Sequence, residues 1–186
     1  MCWPFCKRNQ RRKMVEELFE GEEQLQLRRG SKVPPVVYVK DNFLSEEECE
    51  EIKQLAEPRL KRATVCGDKS GYKSTGRTGS NCWLKHDASP TTAKIVKRVA
   101  GLLGVPPSHA ESLQVIYYGV TQKYSNHYDG WLHDGSDKAI RTLRKGGQRI
   151  WTALCYLNTV PKGGATRFSK LKREVVGTCL YARVGS

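Results

Sequence analysis

The chain has 186 residues, 38% of them hydrophobic and 27% charged, with a formal net charge of +13. That length and balance fit one globular domain with a sizeable core. No apolar run approaches the roughly 18 residues that a membrane-spanning helix needs. At the N-terminus Trp3, Pro4 and Phe5 precede Lys7, Arg8, Arg11, Arg12 and Lys13. A secretory signal has the reverse order and a longer apolar core, so this start points to the cytoplasm. Seven cysteines without a paired CxxC pattern argue for a reducing compartment, with Cys49 and Cys155 read as small core residues. Positive charge gathers in residues 58–110 and 138–186, around an acidic patch at 111–137. Such a surface attracts an acidic partner, nucleic acid included, although no recognised nucleic-acid-binding motif accompanies it.

In chain order, residues 1–32 read as a basic N-terminal extension. Met14, Val15, Leu18, Leu25 and Leu27 predict a helix in the first half of residues 10–27, with Gly21 weakening the second, so the segment reads as a peripheral helix or a mobile extension. Gly30-Ser31 and Pro34-Pro35 mark a boundary, and residues 33–186 read as a single domain. Val36–Val39 is a predicted strand. Ser45 and Glu48 form an S-x-x-E capping box that opens a helix, with Leu44 as its staple. Cys49, Ile52 and Leu55 or Ala56 supply the buried stripe, and Pro58 closes it. Residues 64–82 have no hydrophobic period and predict a long loop. Ser89 with Pro90 starts a second helix. Its apolar face is Ile95, Val96, Val99, Leu102 and Leu103, and Lys94, Lys97 and Arg98 form its wet side. Gly104 and Pro106-Pro107 end it, and His109 falls in a turn with no assigned role. Leu113 onward is a strand, Gly130–Lys145 a polar loop, and Ile150–Leu157 a strand apolar on both faces. A turn at Pro161–Gly164 precedes a last short strand.

The chemistry concentrates at His127-Tyr128-Asp129. On an extended strand, residues i and i+2 point the same way. His127 and Asp129 would then aim an imidazole and a carboxylate into one space while Tyr128 points away. Two histidines and one carboxylate on one face of a metal suit non-haem Fe(II) with open positions, and this stretch offers two of the three. The other reading is a surface turn whose His and Asp merely hydrogen-bond each other.

Leu113-Gln114-Val115, Tyr118, Gln122, Tyr124, His127 and Asp129 resemble the first metal-binding segment of prolyl 4-hydroxylases, in the Fe(II)- and 2-oxoglutarate-dependent dioxygenase family. Gly146-Gly147-Gln148-Arg149, Tyr156-Leu157-Asn158 and Gly163-Gly164-Ala165-Thr166-Arg167-Phe168 resemble the following blocks in the right order. The strand and Phe43-Leu44-Ser45 helix opening resemble the family as well. The likeness runs from about Val36 to Phe168. It implies an α+β fold, a double-stranded β-helix (jelly roll) with helices packed on one sheet. It also implies hydroxylation of prolyl residues in a peptide or protein, with decarboxylation of 2-oxoglutarate to succinate and L-ascorbate as a supporting cofactor. By resemblance His127 and Asp129 are iron ligands, and Tyr118 and Thr166 hold 2-oxoglutarate. Tyr124 and Arg149 face the peptide. Trp131 reads either as a packing tryptophan or as a hydrophobic wall of the mouth. Arg77-Thr78-Gly79-Ser80 resembles a mobile loop that folds over the substrate. Relatives of this kind often work in the secretory pathway, which makes the endoplasmic reticulum the alternative compartment if a segment precedes Met1.

The sequence departs from the family at its end. The family carries a second ligand histidine well beyond the Gly-Gly-x-Thr block, then a Lys or Arg for the far carboxylate of 2-oxoglutarate. No histidine follows His133 here, and Gly177–Ser186 no longer resembles the family. The expectation is a C-terminally truncated member with its last strands missing and an open sheet edge. His133, six residues after His127, is too close to serve readily as the third ligand. Two rival functions follow: a catalytically incomplete jelly-roll binding module, and a basic dioxygenase associated with nucleic acid.

Overall fold

The computed structural model describes residues 2–4, 24–26, 36–66, 71–131, 134–169, 172–175 and 179–183. In chain order its elements are β1 (Cys2–Pro4), β2 (Gln24–Gln26), β3 (Val36–Lys40), α1 (Glu46–Ala56), β4 (Lys61–Arg62), β5 (Val65–Cys66), β6 (Gly71–Tyr72) and β7 (Ser80–Leu84). They continue with α2 (Pro90–Leu102), β8 (Leu113–Tyr117), α3 (Asp137–Gly146), β9 (Arg149–Cys155), β10 (Thr166–Phe168), β11 (Arg173–Val175) and β12 (Cys179–Arg183). The fold is α+β, with helices and antiparallel sheets.

Both main helices begin where the sequence places them, because the information is local. The Ser45 hydroxyl accepts from the Glu48 backbone N–H at 3.2 Å, and the Glu48 carboxylate accepts from the Ser45 N–H at 3.1 Å. At α2, Ser89 and Thr92 exchange the same pair of bonds, and Pro90 occupies the first turn, where a missing N–H costs nothing. Ile52 and Ala56 of α1, and Ile95, Val96, Val99, Ala100 and Leu103 from α2 and its end, enter one core. Cys82 and Leu84 of β7, Leu113 of β8, Tyr38 of β3, and Trp151 and Ala153 of β9 complete it. Arg98 is not merely wet. Its guanidinium grips the Glu48 carboxylate at 2.6 and 2.9 Å and also donates to the Phe43 carbonyl, tying α2 to the start of α1.

A three-stranded sheet runs β4-β7-β8 and a five-stranded sheet runs β1-β9-β12-β3-β2. β12 therefore lies at the centre of its sheet, antiparallel to both β9 and β3. Residues 179–183, where the family resemblance has ended, thus pair through their backbone on both sides whatever family their side chains suit. β1 and β2 also join this sheet, so the described parts of the N-terminal extension are sheet strands. Residues 24–26, in the weakened second half of that segment, are one of them, and the predicted helix of its first half lies outside the described residues.

Three further expectations are corrected. Residues 64–82 hold the β5–β6 hairpin and the start of β7, not one long loop. Residues 137–146, read as loop, form α3, capped by the Ser136 hydroxyl accepting from the Ala139 N–H at 3.2 Å. Cys155 packs against the core but is disulfide-bonded, contrary to a reduced thiol, and β9–β12 register sets it opposite Cys179.

Candidate active site

β8 ends at Tyr117, and the chain then turns at Gly119–Gln122 and meets residue 77 in a single bridge at Tyr124. His127 and Asp129 sit beyond that bridge in irregular backbone, not on the strand expected for them. Their side chains nevertheless converge, with His127 Nε2 and Asp129 Oδ1 3.1 Å apart, while Tyr128 points outward at 71% exposure.

The other ring nitrogen decides the chemistry of this pair. His127 Nδ1 lies 2.8 Å from the Ser125 carbonyl oxygen, which only accepts, so Nδ1 carries a hydrogen. Nε2 then has two choices. Protonated, it forms an imidazolium–carboxylate pair. Unprotonated, its lone pair and Asp129 Oδ1 face one another, and a cation between them resolves the repulsion. The hydrogen bond with Asp129 raises the His127 pKa, against burial and the nearby Arg77 charge, which lower it. Burial alone would raise Asp129, but hydrogen bonds from His127 and Thr152 and the charges of His127 and Arg149 hold its carboxyl below the usual range. One imidazole nitrogen and one carboxylate oxygen converging in this way fit a first-row divalent metal. Among the described residues no group of three His, Cys, Asp or Glu gathers to complete such a site, and His133 lies outside them.

Both donors are braced. The Tyr124 ring stacks on the His127 ring, centroids 3.7 Å apart and 18° from parallel. The Arg77 guanidinium lies over Tyr124 at 4.6 Å, itself only 8% exposed and donating to the Thr64 carbonyl at 2.8 Å. The segment carrying Arg77 is zipped to the His127 loop: Thr78 N–H donates to Lys123 O at 2.9 Å and Ser125 N–H to Gly76 O at 2.7 Å. Gly79 permits this approach, since a Cβ there would stand 2.7 Å from the Tyr117 carbonyl oxygen and from the Tyr118 ring. Tyr118 is thus beside Gly79, its hydroxyl pKa raised by burial and lowered by Arg77.

On the opposite side, Thr152 Oγ1 donates to Asp129 Oδ2 at 2.7 Å and Arg149 Nη1 to the Asp129 carbonyl at 3.3 Å. Arg149 and Thr152 both reach Asp129 although a regular strand turns residues three positions apart to opposite faces. A bulge makes this feasible: Trp151 pairs with Trp3 but Arg149 with Pro4, leaving Ile150 as the extra residue. Arg149 also grips Glu111 through two bonds of 2.6 and 2.7 Å and lies over the Trp131 ring at 4.4 Å. Gln148 clasps the Trp131 backbone, accepting from its N–H at 2.7 Å and donating to its carbonyl at 2.6 Å. Trp131 is therefore fixed as one wall of this cluster.

Of the expected site residues, Tyr124, His127, Asp129 and Arg149 form one connected cluster. Tyr118 borders it through Arg77. Thr166 is set apart on β10, where its hydroxyl and that of Tyr156 lie 2.7 Å apart; Tyr156 donates to the Val175 carbonyl at 2.9 Å. One link, Asn126 Nδ2 donating to Ser169 Oγ at 2.8 Å, joins the end of β10 to the His127 loop. Glu111 and Thr152 are not marked by any local pattern: Glu111 lies 38 residues from Arg149 and Thr152 lies 23 from Asp129.

No protein-family model matches the chain. Individual relatives do. Probable prolyl 4-hydroxylase 10 of Arabidopsis thaliana is 39% identical over 141 residues, covering 74% of this chain and 46% of the relative. Prolyl 4-hydroxylase subunit alpha-1 of Gallus gallus is 40% identical over 136 residues, 72% of this chain and 26% of the relative. The chain belongs to the prolyl 4-hydroxylase family. It spans about half the length of the plant prolyl 4-hydroxylases it matches and about a quarter of the alpha subunits. A solved neighbour with the same fold is the viral collagen prolyl hydroxylase of Paramecium bursaria Chlorella virus-1 in its 2OG complex. Its TM-score is 0.57 at 23% identity, over 79% of this chain and 77% of that one.

Proposed function

We propose that this prolyl 4-hydroxylase chain carries a jelly-roll site for Fe(II)- and 2-oxoglutarate-dependent hydroxylation of prolyl residues in a peptide or protein. His127 Nε2 and Asp129 Oδ1 hold the metal. The observation that carries this reading is the placement of the ring: the Ser125 carbonyl accepts from Nδ1–H, which leaves Nε2 as the nitrogen able to bind a metal, and Nε2 faces Asp129 Oδ1 at 3.1 Å. When bound, iron with 2-oxoglutarate, oxygen and L-ascorbate supplies the oxidation of an unactivated C–H bond, releasing succinate. The chain's own residues do the rest. Tyr124 and Arg77 keep the imidazole plane fixed, Arg149 and Trp131 form a cationic and aromatic wall against which a prolyl peptide packs, and Tyr118 offers a hydroxyl to 2-oxoglutarate.

The test supplies the chain with Fe(II), ascorbate, 2-oxoglutarate and a proline-rich peptide, and measures succinate and hydroxyproline. Both products are expected to form together and to fall at least about 100-fold in His127→Ala, in line with loss of a metal ligand. Succinate release undiminished in that variant, or no peptide-dependent succinate from the parent chain, overturns the reading.

A further inference from the structure

We propose that Thr152 is a positioning residue: its hydroxyl locks one oxygen of the Asp129 carboxylate, so that only the other is presented beside His127. The inference rests on the reading of His127 and Asp129 as metal ligands. A carboxylate has two oxygens and binds a metal through one or both. Here the two have different partners. Oδ2 accepts the Thr152 hydroxyl at 2.7 Å, and Oδ1 faces His127 Nε2 at 3.1 Å. The hydroxyl comes from β9, in the interior of the five-stranded sheet, whose flanking Trp151 and Ala153 are buried in the core. Thr152 is therefore anchored to the rigid part of the molecule, whereas Asp129 sits in irregular backbone. The bond transmits the sheet's order to the loop.

The consequence is functional. A metal that must also hold a chelating cosubstrate and oxygen needs open positions, and a carboxylate bound through both oxygens would take one of them. Occupying Oδ2 with a hydrogen bond keeps Asp129 to one donor atom. Arg149 reinforces the arrangement from the backbone side by donating to the Asp129 carbonyl, which restrains the loop.

Thr152→Val removes the hydroxyl at nearly constant shape, and Thr152→Ser restores it without the methyl. Two readouts separate positioning from folding. In the metal-free protein, the ring-nitrogen resonances of His127 report whether Oδ1 still faces Nε2. Thr152→Val is expected to shift them, Thr152→Ser to return them to the parent positions, and the amide signals of α1 and α2 to stay in place in both. Titration with Co(II), read by its visible absorption, is expected to show affinity about 10- to 100-fold weaker in Thr152→Val and near parental in Thr152→Ser. If Thr152→Val does not fold, Thr152→Ala makes the same comparison. Unchanged His127 resonances in the variant lacking the hydroxyl overturn the proposal. A parent chain that ignores Co(II) sinks the metal reading instead, and the metal-free resonances still decide the role of Thr152.

Discussion

The proton on His127 Nδ1 ties the site to pH. Because Ser125 fixes that proton, metal binding needs Nε2 free of its own, and the two compete for one lone pair. The hydrogen bond to Asp129 raises the His127 pKa, so the competition extends to higher pH than for an isolated histidine. Below that pKa, Co(II) affinity is expected to rise about tenfold per pH unit, and to level off above it. Asp129, held below the usual carboxylate range, stays ionised throughout and contributes no step near neutrality. Titrations across about pH 5.5 to 8.5 bracket the ordinary histidine value, and an affinity independent of pH there would exclude Nε2 as the donor. At this scale the sequence was readable in part. The i, i+2 spacing of His127 and Asp129 pointed to convergence, and convergence is present without the strand that was its stated reason. The other reading, a His and an Asp that hydrogen-bond each other, is met by the same 3.1 Å contact.

Elements were legible wherever their signals are local. Ser45 with Glu48, and Ser89 with Pro90, sit within one turn of the bonds they make, and both helices start there. α3 reads as a polar loop because Lys138, Arg141, Arg144 and Lys145 outnumber its apolar residues, although Ala139, Ile140 and Leu143 recur at helical spacing behind the Ser136 cap. β4, β5 and β6 have two residues each, and a period of two cannot show in two residues. The second bond of Glu48 lies beyond local reading for another reason: Arg98 is fifty residues away. That pairing makes an element-level expectation. Arg98, ahead of the opposing effect of burial and helped by the Ser45 N–H and Lys94, lowers the Glu48 pKa from 4.5 to about 2. A depressed carboxylate pKa stabilises the fold above its unfolded value, and the contribution is lost as pH falls from about 4.5 to about 2. At 1.36 kcal/mol per unit the shift corresponds to about 3 kcal/mol. Glu48→Gln is expected to cost about 2–3 kcal/mol at neutral pH and to flatten the acid limb of stability. Urea unfolding at successive pH values measures both; an acid limb as steep as the parent's would assign it to other carboxylates.

At the scale of the whole molecule, the five-stranded sheet explains why the site depends on residues that lie far from it. The order β1-β9-β12-β3-β2 places β12 between β9, which carries Arg149 and Thr152, and β3, which carries Tyr38 into the helix-backed core. Nothing in the sequence announced this, since Gly177–Ser186 does not follow the family pattern and strand pairing is a long-range property of backbone groups. Removing a central strand differs in kind from removing an edge. Without β12 the sheet divides into a β1–β9 pair and a β3–β2 pair, and two-stranded ribbons have little stability of their own. β9 then loses the support that sets Thr152 and Arg149 against Asp129. Deleting residues 179–186 is therefore expected to abolish the cooperative thermal transition seen by circular dichroism. Deleting residues 1–4, which strips only the edge strand β1, is expected to lower Tm by a few degrees and keep the transition cooperative, since about 1 kcal/mol moves a domain of this size by roughly that much. The contrast between the two deletions carries the argument. Equal melting curves would mean that β12 pairs without bearing on the rest of the sheet, and the path from β12 through β9 to Asp129 would have no mechanical basis.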